Sequence, residues 1–126
     1  MKRSTFLLVA SLVATAVGVA ALTLPRQFLA GKGIVDDAAA VVWMREVGVL
    51  ILASGVVAFL VRAHADSPTL RVVLMGNALV QLGLFPIEIA AYHAGVITKL
   101  GGVVPNSILH LVLAAAFVHY ARAIES

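Results

Sequence analysis

Three residues in this chain could do acid–base chemistry together: Glu46, Glu88 and His110. Burial and a like-charged neighbour separate the acidities of paired carboxylates, so one can act as acid and the other as base. An imidazole beside them orients or shuttles the proton. Polar residues lie around each of the three. Asn77, Gln81 and Glu88 fall at i, i+4 and i+11, within about 40° of one another at about 100° per residue, so they form one stripe on a helix. Asn106 and His110 are one turn apart. Arg45 adjoins Glu46 and is its expected charge partner. Glu46, Glu88 and His110 are therefore the expected catalytic groups, with Asn77, Gln81, Asn106 and Arg45 as the expected substrate contacts.

Each residue also has a plainer use. Glu46 could pair with Arg45 or Arg26 as a structural ion pair. His110 could bond a backbone carbonyl, and Asn106 could be a helix N-cap. Asn77 and Gln81 could bridge helices, worth about 1 kcal/mol each. The chain lacks a close-spaced metal-ligand pair, a nucleotide loop and a nucleophile elbow, so neither a metal nor a cofactor is expected.

The elements that must position these residues follow from composition. The chain has 126 residues, 62% hydrophobic and 12% charged, with a mean hydropathy of +1.07. Soluble domains average about 45–50% apolar and about 25% charged. This balance excludes a soluble enzyme, a nucleic-acid module and a disordered tail. The net charge of +3 comes from basic residues at helix ends, with no basic stripe, so no nucleic-acid partner is expected. The sequence contains no cysteine, and hence no disulfide or thiol centre.

Four apolar stretches, residues 5–24, 38–61, 70–94 and 107–123, approach or exceed the roughly 20 residues that cross about 30 Å of hydrocarbon. Backbone groups in hydrocarbon must bond within their own segment, so these stretches must be helices. The expected fold is all-α: one integral membrane four-helix bundle over residues 1–126. The first stretch is longer than the 7–15 apolar residues of a secretion signal and reads as a span. Pro25 stops the first helix, Asp36 and Asp37 cap the second, and Ser67-Pro68 starts the third. Pro105-Asn106-Ser107 reads as the same kind of start for the fourth, after the loop residues Gly101-Gly102. Residues 25–37 and 95–105 read as loops on one side of the membrane.

Basic residues set the expected orientation. Lys2, Arg3, Arg62, Arg71 and Arg122 lie on one side, and Arg26, Lys32, Arg45 and Lys99 on the other. This places both termini in the cytoplasm of a bacterial cell, with the chain in the inner membrane. Glu46, Glu88 and His110 then sit about 5–12 Å in from the outer ends of their helices, at about 1.5 Å per residue. Arg62, Arg71 and Arg122 read as snorkelling anchors. Small residues recur along single faces: Ala10, Ala14 and Gly18; Gly48 and Gly55; and Gly76, Gly83 and Ala90. Such faces suit close helix packing or a homodimer. Pro86 should free the carbonyl of Leu82 and kink its helix.

An outer-half polar pocket in such a bundle would bind a lipophilic small molecule among the membrane lipids. Its chemistry would be isomerisation, cyclisation or epoxide opening. The alternative is a non-catalytic accessory or structural subunit of a larger membrane complex. Four-helix multidrug exporters carry a glutamate in their first helix, whereas residues 5–24 here carry no charge. In length, span number, the polar segment Arg45-Glu46-Val47-Gly48 and its glycine-rich faces, the chain resembles the DoxX-like group of small four-helix bacterial membrane proteins. That resemblance implies the fold and carries over no site residue.

Overall fold

The computed structural model describes residues 1–124. Among these residues the chain is helical with no strand, and four helices are long and apolar enough to cross a membrane. It divides into two compact units, Met1–Ala63 and the remainder from His64.

The first unit holds α1 (Arg3–Thr23), α2 (Pro25–Lys32) and α3 (Ala38–Val61). Pro25 has no N–H to continue α1 and instead occupies the first turn of α2. The stretch read from sequence as a loop over residues 25–37 thus contains a short helix. Two local features favour it. Leu29 is buried at 3% exposure. Gly33 closes the helix in the left-handed region at φ 70°, and the Ile34 N–H returns to the Leu29 carbonyl at 3.1 Å. Glycine enters that region without a Cβ penalty. Arg26 on α2 pairs with Asp36 at 2.5 Å. The carboxylate of Asp37 then caps α3, accepting from the Ala40 N–H at 2.7 Å.

α1 and α3 pack backbone to backbone. A Cβ added to Gly18 would lie 2.7 Å from the Leu52 nitrogen and 2.9 Å from the Gly48 carbonyl oxygen. One added to Gly48 would lie 3.0 Å from the Gly18 oxygen, and Gly55 faces Ser11, Ala14 and Thr15. Contacts rise along α1 as they fall along α3, so the pair is antiparallel. The small-residue faces expected of these two helices meet each other, as close packing in hydrocarbon favours.

The second unit holds α4 (Pro68–His93), a 3₁₀ turn at Leu100–Gly102 and α5 (Val104–Arg122). The Ser67 hydroxyl accepts from the Leu70 N–H at 3.1 Å, with Pro68 in the first turn. α4 stays helical through Pro86. α5 starts differently from the sequence expectation. Val103 occupies the cap position with no side-chain cap bond, Pro105 sits in the first turn, and Asn106 lies inside the helix. The N-cap reading of Asn106 is therefore corrected: proline tolerates the first turn and draws the helix start back to Val104.

Leu70, Leu74, Ala78 and Glu88 are buried on α4, and Ser107, His110, Ala114, Phe117 and Ala121 on α5. The small-residue face of α4 is not part of this seam. Apart from the neighbouring backbone of α4 itself, no described atom of the hairpin lies within 4 Å of a Cβ built on Gly76 or Gly83. These two environments predict opposite outcomes for glycine substitution. Gly18→Ala should destabilise the protein by about 1–3 kcal/mol, the usual cost of overpacking. Gly83→Ala should be neutral or stabilising by up to about 1 kcal/mol, the helix-propensity gain. Reversible unfolding of the detergent-solubilised chain, followed by helical circular dichroism, measures both.

Candidate functional site

Helix periodicity sets what each helix can offer the other. On α4, Gln81 and Glu88 are about two turns apart on the face toward α5. On α5, Asn106 and His110 are one turn apart and face back. The antiparallel crossing brings the four side chains into one hydrogen-bonded chain. The Asn106 amide donates from Nδ2 to Glu88 Oε1 at 2.6 Å. The same nitrogen lies 3.0 Å from His110 Nε2. At the other edge of the ring, His110 Nδ1 lies 2.6 Å from Gln81 Oε1. Glu88 and His110 are each only 9% exposed.

The chemistry of these partners assigns the protons. An amide oxygen only accepts, so His110 Nδ1 must carry the hydrogen that bonds Gln81. An amide nitrogen only donates, so His110 Nε2 must accept from Asn106. The arrangement is a neutral imidazole in the Nδ1–H tautomer. One Asn106 N–H points at it and the other at the carboxyl group of Glu88. Donation thus runs from Asn106 through His110 to Gln81 on one side and from Asn106 to Glu88 on the other. The amide links the two titratable groups, and no direct contact between them is required. Asn106 also holds Glu88 against the first turn of α5, which carries no acidic residue of its own. The positive end of that helix dipole is complementary to a carboxylate there.

Four of the residues singled out from sequence are joined in this way: Gln81, Glu88, Asn106 and His110. Asn77 stands apart from the chain, since its amide donates to the Val73 carbonyl of its own helix at 2.9 Å. A side chain one turn from a backbone carbonyl can reach it without crossing to a neighbour. Glu46 and Arg45 are on α3 in the first unit, and both are exposed. As adjacent helix positions they project about 100° apart. Arg26, the other candidate partner for Glu46, closes on Asp36.

Sequence reasoning passed over Ser107, reading it only as the start of a span. It is 7% exposed, and its hydroxyl has no hydrogen-bond partner among the described residues. An unmade buried hydrogen bond costs about 1–3 kcal/mol. The signal was present in the spacing: Ser107 precedes His110 by three residues and so shares its face. For metal binding, no group of three His, Cys, Asp or Glu residues able to hold an ion occurs among the described residues. Glu88 and His110 both address the side-chain nitrogen of Asn106, which lies between them.

The tautomer assignment is directly measurable. In ¹⁵N spectra of histidine-labelled protein, His110 should carry its proton on Nδ1. Asn106→Ala should release that preference and lower stability by about 1–3 kcal/mol, because it leaves buried acceptors without their donor. An unchanged tautomer in the variant would show that Gln81 alone sets it. Comparison with protein-family models, curated protein sequences and solved structures gives no match for this chain.

Proposed function

We propose that this chain is a multi-pass membrane protein that binds the polar end of a lipophilic small molecule at the Gln81–His110–Asn106–Glu88 chain, and that Glu88 and His110 convert it by acid–base chemistry. The observation that carries the reading is a buried carboxyl group and a buried imidazole coupled through one amide within an apolar hairpin. Two neutral amides would bridge α4 and α5 equally well. A carboxylate in a span costs about 2.5–3.5 kcal/mol on insertion scales, and such groups are functional-site hypotheses by default. A glutamate that takes a proton from one carbon of the ligand and returns it to another performs an isomerisation with no oxidant or co-reactant. Cyclisation and epoxide opening draw on the same acid and base. The reading places both termini in the cytoplasm and the chain in a bacterial inner membrane, consistent with its basic start. It needs neither Glu46 nor Arg45.

A second reading is favoured by one observation: each of the four side chains is engaged by another of the four, which is what interhelical bonding in a structural subunit requires. On that reading the chain packs into a homodimer or a larger membrane complex and performs no chemistry.

Native mass spectrometry of the gently extracted protein, with analysis of co-purifying lipids, separates the two. Wild-type protein should retain a specific lipophile. Glu88→Gln should weaken retention about ten- to hundredfold, since a hydrogen bond to a charged group is worth about 1.5–3 kcal/mol. A stable protein partner held by both forms, with no lipophile in either, would establish the structural subunit instead.

A further inference from the structure

Three hydroxyl groups in the helices of this protein bond backward to their own helix. Ser11 reaches the Leu8 carbonyl at 2.7 Å, Thr23 the Val19 carbonyl at 2.7 Å, and Ser54 the Leu50 carbonyl at 3.0 Å. A helical serine or threonine is commonly satisfied in this way or by pointing to solvent. Ser107 departs from this pattern. Its Oγ is buried and unengaged among the described residues, although its backbone N–H makes the normal bond to Val103 at 2.8 Å. It belongs to the buried face of α5 with His110, Ala114, Phe117 and Ala121, and follows Asn106 directly. A buried donor with no acceptor is the complement of an oxygen that arrives from outside the protein.

The rest of the chain defines what that oxygen belongs to. The donors of Asn106 and His110 are directed at other members of the chain. The Ser107 O–H is a buried donor, uncommitted among the described residues, and it directly follows in sequence the amide that holds Glu88. We propose that Ser107 donates to the carbonyl oxygen of the bound molecule, and that the ligand class is a lipophilic ketone. This assignment rests on the ligand-binding reading above and narrows it. In such an isomerisation Glu88 removes a proton from the carbon beside the carbonyl. The C–H electron pair becomes the new carbon–carbon double bond, and the carbonyl oxygen takes up the charge. The Ser107 O–H stabilises that oxygen until the proton is delivered to the γ-carbon of a β,γ-unsaturated ketone: the π pair of the original double bond forms the new C–H bond, the enolate C=C pair becomes the conjugated double bond, and the carbonyl re-forms with no net gain or loss of electrons. A pre-placed donor aimed at a developing oxyanion is a principal source of catalysis in reactions of this type.

The test uses the full chain in detergent with 8-pentadecanone carrying ¹³C at the carbonyl, read by isotope-edited infrared spectroscopy. The bound carbonyl band should fall to lower wavenumber in wild type and in Ser107→Thr, which keeps the hydroxyl. In Ser107→Ala it should stay at the position of the ketone in detergent alone, with binding roughly two- to tenfold weaker, the loss of one neutral hydrogen bond. A wild-type band that does not move, or a shift that survives in Ser107→Ala, overturns the assignment of Ser107. If native mass spectrometry still finds a retained lipophile, the ligand-binding reading stands while Ser107 falls. If wild type retains neither the ketone nor any lipophile, both fall.

Discussion

Four helices among the described residues are apolar enough to cross a membrane, and hydrocarbon supplies no hydrogen bonds; on the membrane reading that single constraint organises this chain. It forces the long apolar segments into helices and then governs how helices may touch. The two units meet the constraint in contrasting ways. In the first, α1 and α3 approach until glycine is required: the Gly18 and Gly48 backbones leave no room for a Cβ. That seam gains its energy from dispersion over closely packed backbones. In the second, α4 and α5 bring four polar side chains together, and each finds a partner in the others. The buried hydroxyl of the first seam, Ser11, is satisfied on its own helix, whereas the polar groups of the second are satisfied across the seam. Only the second has groups that can exchange a proton.

Much of the architecture was legible in the sequence, because the signals were local. Asp37 and Ser67 cap the helices they were expected to cap, as the hydroxyl or carboxylate reaches N–H groups only three residues away. Pro25 ends α1 for an equally local reason. The misreadings arose where local signals conflict. Pro25 both stops one helix and starts another, so the segment to Lys32 was missed as a helix. Pro105-Asn106-Ser107 has the composition of a cap, yet proline also tolerates the first turn, and the helix begins before it.

The site was legible in part, for a different reason. A polar stripe at helical spacing shows which face is polar but not which residue reaches across. Gln81 and Glu88 reach α5, whereas Asn77, on the same stripe, satisfies itself on its own backbone. Similar distances from helix ends suggested grouping Glu46 with Glu88 and His110; the latter two are joined through Asn106, and Glu46 belongs to the other unit. Ser107 escaped notice because a serine in an apolar helix normally bonds its own backbone, and only the fold reveals one that does not.

The sharing of one polar chain between α4 and α5 has a consequence for how the protein is made. Glu88 and its Asn106 partner are 18 residues apart, and α4 is complete before α5 exists. At synthesis rates of about 5–20 residues per second, Glu88 waits roughly 1–4 s for its amide. During that interval α4 carries Gln81 and Glu88 without the helix that satisfies them, so its favourable place is the channel or the water interface. The first unit faces no such delay, because an unpaired glycine face is at ease among lipid tails. On the membrane reading, the second hairpin is therefore a unit of insertion as well as of structure: α4 settles in the bilayer when α5 arrives to close on it.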